Sequence, residues 1–134
     1  MRKLKAISVA IGICMVPYQI AAATFDGSVP LLCAPIEIIE CEVEGKCFSG
    51  TAESVNIPQF FKINIKKKMI SAADESGRKT PIKHLEHNNG RIIMHGGQDG
   101  RGWTMVISEE TGKMSATVSE DQVGFVIFGA CTPL

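Results

Sequence analysis

The side chains best suited to metal or acid–base chemistry are the three histidines, His84, His87 and His95, with Glu86 among them. Asn89-Gly90 lies inside this group and is the strongest short hairpin signal in the chain, because both central positions of a type I′ turn need positive φ. A hairpin closed there pairs Asn88 with Arg91, so His84 falls opposite His95 and Leu85 opposite Met94. Leu85, Met94 and Ile92 then share a core-facing side, and His84, His95 and Glu86 share the other with Ile93. Two imidazoles and a carboxylate on one strand face could hold zinc or copper. Solvated histidines on an outer face are the plainer reading. His84 and His87 look like a His-x-x-His pair, but on a strand they point to opposite faces, so that spacing is not a chelate.

The run His95-Gly96-Gly97-Gln98-Asp99-Gly100-Arg101-Gly102 is the second candidate, since glycine-rich backbone can cradle an anion. It follows neither the Walker nor the dinucleotide-binding order, and no helical pattern comes after it. It reads as an inter-strand loop at a barrel mouth, where binding residues collect on a rigid scaffold. Gly97, Gln98, Asp99 and Arg101 are its candidate binding residues, and Arg101 supplies the fixed charge. No Gly-x-Ser-x-Gly elbow is present. The adjacent carboxylates Glu109-Glu110 and Glu120-Asp121 sit in expected hairpin loops as solvated turn residues rather than an acid/base pair. Trp103 falls on an expected core face, where packing is favoured over ligand stacking. No catalytic residue and no cofactor follow from these patterns.

The remaining chemistry depends on compartment. Arg2, Lys3 and Lys5 precede an apolar run from Ala6 to Val16, then Pro17 and Ala21-Ala22-Ala23. That order is a secretory leader, with cleavage expected after Ala23. A membrane span is the rival reading, but it needs roughly twenty apolar residues. A lipid anchor on Cys14 is disfavoured by Ile13 before it. Loss of residues 1–23 leaves 11 Lys and Arg against 14 Asp and Glu, a net charge of −3. A mildly acidic mature chain lacks the basic face that nucleic acid requires.

Cys33, Cys41, Cys47 and Cys131 remain after cleavage. An even number in an exported chain reads as two disulfides. Zinc is the alternative, without a Cys-x-x-Cys pair to support it. Of three possible connectivities, Cys41–Cys47 with Cys33–Cys131 is favoured: one local loop, and one tie between the two ends of the domain. Residues 24–134 are expected to form this single stapled domain.

These residues must be carried by short strands, because no segment shows a sustained helical period. The expected strands are Phe60–Ile65, Lys68–Ala72, Pro81–His87, Arg91–His95, Trp103–Ser108, Lys113–Val118 and Val123–Ala130, with another from Pro35 to Val43. Thr51–Pro58 reads as a connection with room for one helical turn. A Lys66-Lys67 turn sets Ile63 opposite Ile70 and Phe61 opposite Ala72. Four-residue loops at Glu109–Gly112 and Ser119–Gln122 place Trp103, Met105, Ile107, Met114, Ala116, Val118, Val123, Phe125 and Ile127 on one face. The second loop pairs Val118 with Val123 and Ala116 with Phe125. Cys131 shares the inward parity, while Val126 and Phe128 give the last strand a second apolar face that needs cover. The expected fold is all-β: a small antiparallel up-and-down meander, curled or closed into a barrel of about eight strands. A β-sandwich is the alternative.

The chain resembles small exported proteobacterial proteins that have no assigned function. The resemblance rests on Phe25-Asp26-Gly27-Ser28-Val29-Pro30-Leu31-Leu32-Cys33, on Gly100-Arg101-Gly102-Trp103, and on Gly124-Phe125-Val126-Ile127-Phe128-Gly129-Ala130-Cys131-Thr132. It implies no catalytic residues. Lipocalin-like barrels are a looser architectural analogy, and their Gly-x-Trp signature near the mature N-terminus is not seen here. Fold analogy does not carry function. The expected function is a non-enzymatic periplasmic or secreted binding protein. Its target would be a partner protein or small ligand taken at loops over a filled core. The alternative is a small metal-dependent enzyme or metal-binding protein using His84, His95 and Glu86.

Overall fold

Asn89 and Gly90 carry φ of 49° and 71°, the left-handed pair that a type I′ turn demands. The computed structural model describes residues 24–134, and the left-handed pair recurs at Glu44-Gly45 and Asp99-Gly100. The leader reading of residues 1–23 lies outside the described residues. The strands are β1 (Leu31–Glu42), β2 (Cys47–Gly50), β3 (Phe61–Asn64), β4 (Met69–Ala72), β5 (Lys79–Pro81), β6 (His84–Asn88), β7 (Arg91–Gln98), β8 (Arg101–Ser108), β9 (Lys113–Ser119) and β10 (Val123–Pro133). They form one antiparallel sheet in the order β5-β4-β3-β1-β10-β9-β8-β7-β6, with β2 added to β1. Neighbours thus follow chain order from β3 to β5 and from β6 to β10, and β1 lies between β10 and β3.

The sheet is strongly curled. Its terminal strands β5 and β6 are consecutive in the chain and separated only by Ile82 and Lys83. The Ile82 amide donates to the Lys68 carbonyl at 2.9 Å, and the Lys83 amide to the His95 carbonyl at 2.9 Å. The stretch Pro81–His87, expected as one strand, is therefore two. Its backbone changes partner from β4 to β7 where the edges of the sheet meet.

Most registers follow the hydrophobic pattern. Ile63 pairs with Ile70 and Phe61 with Ala72. Ile107 pairs with Met114, Met105 with Ala116 and Trp103 with Val118. The β9–β10 hairpin differs from expectation by two residues: Phe125 pairs with Val118 and Ile127 with Ala116. Its turn is the tight Asp121-Gln122, closed by the Glu120 amide donating to the Val123 carbonyl at 2.9 Å. A slip of two keeps every side chain on its face, so the inward set survives the change. Met105, Ile107, Met114, Ala116, Phe125 and Ile127 are buried, and Trp103, Val118 and Val123 are half-buried against them. Burial of each large apolar side chain is worth about 1.5–3 kcal/mol.

Three segments differ from the sequence reading. β1 starts at Leu31 rather than Pro35 and absorbs the proline at a bulge between Pro35 and Glu37, where a missing amide breaks no regular ladder. β2 pairs Cys47 with Cys41 and Phe48 with Glu40. The expected Gly96–Gly102 loop is mostly strand: Gly96 pairs with Trp103, Gly97 with Gly102 and Gln98 with Arg101. Only Asp99 and Gly100 form the turn, with φ of 53° and 80°.

Both disulfides join the expected cysteines. Cys33 and Cys131 pair directly across β1 and β10, both are buried, and the bridge spans a sequence separation of 98. Cys41–Cys47 spans a separation of 6. The outer side of β10 is not covered as expected. Phe128 is 44% exposed, and Ile36, in the adjoining bulge, is 76% exposed. Among the described residues no helix is long and apolar enough to cross a membrane.

Candidate functional site

The inward faces of the curled sheet do not fill the space between them. A cavity of about 520 Å³, open to solvent, lies among them, a size typical of small-ligand sites. Its floor and walls are apolar, formed by Phe61 and Ile70 from β3 and β4, Met105 from β8, Met114 and Ala116 from β9, and Ile127 from β10. The small side chains Ala72 and Ala116 leave room where a larger aliphatic residue would close the lumen. Trp103 stands higher on the wall, and its indole N–H donates to the Thr80 hydroxyl at 3.3 Å. That bond links β8 to β5 and satisfies the one polar atom of the indole. The inward residues form a packed core, as expected, and some of them also border the cavity, with Trp103 in its wall as well as in the packing.

The mouth is polar and is assembled from distant segments. Arg78 and Lys79 come from the β4–β5 side, Gln98, Asp99 and Arg101 from the β7–β8 hairpin, and Glu120 from the β9–β10 hairpin. Arg101 Nε forms an ion pair with Glu120 Oε1, an atom shielded from solvent. The Asp99-Gly100 turn positions this pair by bringing Arg101 onto the first residue of β8. Of the four residues expected to bind in this loop, Gln98, Asp99 and Arg101 line the mouth, while Gly97 is a strand residue beside them.

The end of Thr51–Pro58 borders the cavity. One turn of helical bonding runs through it, with the Val55 amide donating to the Thr51 carbonyl at 3.2 Å. Thr51 and Ser54 cap each other: the Thr51 amide donates to Ser54 Oγ at 2.9 Å, and the Ser54 amide to Thr51 Oγ1 at 3.2 Å. Val55 is buried, and Asn56, Ile57 and Pro58 line the cavity. Arg78 Nη1 donates to the Asn56 carbonyl at 2.9 Å and so ties this segment to the loop before β5. That loop is ordered by Asp74, whose carboxylate accepts from the Ser76 amide at 2.9 Å. Bonds from the Ser76 side chain and amide, with the nearby Arg78 charge, hold the Asp74 carboxyl below the usual range.

The histidines lie away from this site. His84 and His95 do pair, with ring centroids 5.6 Å apart. His84 Nε2 stands 3.7 Å from Glu86, while His95 Nδ1 shares a hydrogen bond with Thr104 Oγ1 at 3.0 Å. His87 is paired separately, its Nδ1 2.5 Å from Glu109. Among the described residues no group of three or more His, Cys, Asp or Glu side chains is arranged to hold a metal ion. Sequence reasoning missed Arg78, Lys79 and Glu120 as mouth residues, because each reads locally as an ordinary loop charge. Comparison with protein-family models, with curated proteins and with solved structures finds no match for this chain.

Proposed function

We propose that this is an exported, non-enzymatic protein that binds a small apolar or amphipathic molecule inside the curled sheet. The observation that carries the reading is the cavity itself: a solvent-open space of about 520 Å³ with largely apolar walls and a polar rim. Export is supported by the leader pattern of residues 1–23 and by two disulfides, which persist in oxidising compartments. The interior supports a ligand more directly than the outer loops support a partner protein, since the loop residues Gln98, Asp99 and Arg101 themselves face the cavity.

Trp103 is the sole tryptophan and lines the wall, so the protein carries its own reporter. Titration with the neutral dye N-phenyl-1-naphthylamine should change Trp103 emission saturably and raise the dye's fluorescence. Aliphatic alcohols should displace the dye, with affinity rising about fourfold per added methylene, the equivalent of about 0.8 kcal/mol. Absence of saturable dye binding would remove the reading.

A further inference from the structure

We propose that His84 and His95 form an exchangeable copper(II) site on the outer face of the β6–β7 hairpin, apart from the cavity. The two residues are directly opposed across the hairpin, and the next pair along, Leu85 with Met94, points inward. Met94 is fully buried, whereas both histidines are exposed. Directly opposed residues of an antiparallel pair hold their Cβ atoms about 4.5–5.5 Å apart, close enough for two imidazoles to reach one ion. The ring separation agrees. A metal–nitrogen bond of about 2.0 Å places each ring centroid about 3.1 Å from the ion. Two ligating rings then have centroids about 4.4 Å apart at right angles and about 6.2 Å apart in line. The observed 5.6 Å falls within that span. Turning the exposed rings about χ2, a broad and soft torsion, aims their nitrogens at one point.

Neighbouring side chains prepare the pair. His95 Nδ1 shares a hydrogen bond with Thr104 Oγ1 at 3.0 Å. In the tautomer whose Nδ1–H donates to that oxygen, Nε2 carries the lone pair that a metal takes, and the ring is held in orientation. His84 Nε2 lies 3.7 Å from Glu86 Oε2, so a carboxylate stands beside the ion and favours a dication. Among the described residues no group of three His, Cys, Asp or Glu side chains encloses an ion. Water therefore fills the remaining positions, unlike a structural zinc site with its four protein ligands. Two imidazole nitrogens completed by oxygen suit the tetragonal preference of copper(II), which also binds such sets more tightly than nickel(II) or zinc(II). His87 takes no part, since it lies opposite buried Ile92 on the other face and is paired with Glu109.

Titration of the disulfide-bonded protein with copper(II) sulfate at neutral pH, followed by calorimetry and electron paramagnetic resonance, tests the site. One equivalent should bind more tightly than nickel(II) or zinc(II), with hyperfine structure from two nitrogens. His84→Gln and His95→Gln should each weaken copper at least about tenfold, because either one removes the chelation. His87→Gln should leave the affinity unchanged, and circular dichroism checks the fold of all three variants. Copper affinity unchanged in both His84→Gln and His95→Gln would overturn the site and place the ion elsewhere on the chain. An equal loss in His87→Gln would overturn the assignment to this pair. Tighter binding of nickel(II) or zinc(II) would overturn the choice of metal.

Discussion

Gly96 lies directly opposite Trp103 across the β7–β8 pair, and the indole occupies the space where a Cβ on residue 96 would stand. An aromatic ring laid over a strand glycine restores the packing that the glycine lacks. Gly96→Val should therefore push the ring from its seat and loosen its bond to Thr80. The expected loss is about 1–3 kcal/mol, the range for overpacking a close contact. Denaturant unfolding would measure it, together with a red shift of the single tryptophan's native emission.

The two disulfides should differ in weight. In the chain-entropy picture, the Cys33–Cys131 bridge closes a loop worth about 4–5 kcal/mol, whereas the short Cys41–Cys47 loop is worth about 2 kcal/mol. The Cys33→Ala/Cys131→Ala variant should thus show the larger fall in urea midpoint. Comparable midpoints for the two double variants would mean that the β1–β10 pairing holds without its staple.

Ala116 offers a direct probe of the cavity. It is buried at 6% exposure and forms part of the cavity wall. Ala116→Leu adds volume into empty space, so the usual overpacking cost is offset by new contacts, and stability should stay within about 1 kcal/mol. Affinity for neutral dye should fall at least about tenfold. A strongly destabilised variant would indicate that no such space exists around residue 116.

Acidification should release the loop before β5. Hydrogen bonds from Ser76, and secondarily the Arg78 charge, lower the Asp74 carboxyl relative to the unfolded chain. A group depressed in the folded state contributes stability above its unfolded value and loses it as pH falls through the folded value. The loss thus lies on the acid side of the ordinary carboxylate range. Ser76→Ala should move the Asp74 titration upward towards that range, read by carbon-detected NMR of the side chain.

Much of the sheet was legible because its turns are chemically explicit. Asn89-Gly90 fixes the His84–His95 register, and Glu109–Gly112 fixes Trp103 opposite Val118. The β9–β10 register lies two residues from the expected one, since Asp121-Gln122 lacks a glycine to mark the tight turn and even slips leave the hydrophobic pattern unchanged. Asp99-Gly100 carries as clear a hairpin signal as Asn89-Gly90, but the flanking glycines obscured it. Alternation tells which side chains point inward and says nothing about the radius of the curl, so it gives no sign of the cavity. The mouth was invisible for a different reason: Asn56, Arg78, Arg101 and Glu120 meet only after the curl is complete, and no local spacing links them.

The position of β1 between β3 and β10 also sets an order of events. The hairpins from β3 to β10 are local and can form as soon as their turns close, whereas Leu31 must await Pro133 and Cys33 must await Cys131. Long-range pairing of this kind slows folding, since loop closure precedes its reward. Cys41 meets no such delay, for Cys47 is close by in the chain. Early oxidation of Cys41 and Cys47 removes both from competition and leaves Cys33 only its correct partner. The small disulfide thus acts as a kinetic guard for the large one, and refolding of Cys41→Ser/Cys47→Ser, with both competing thiols removed, should form the Cys33–Cys131 bond without scrambling, whereas the single variant Cys47→Ser should trap Cys33–Cys41 species.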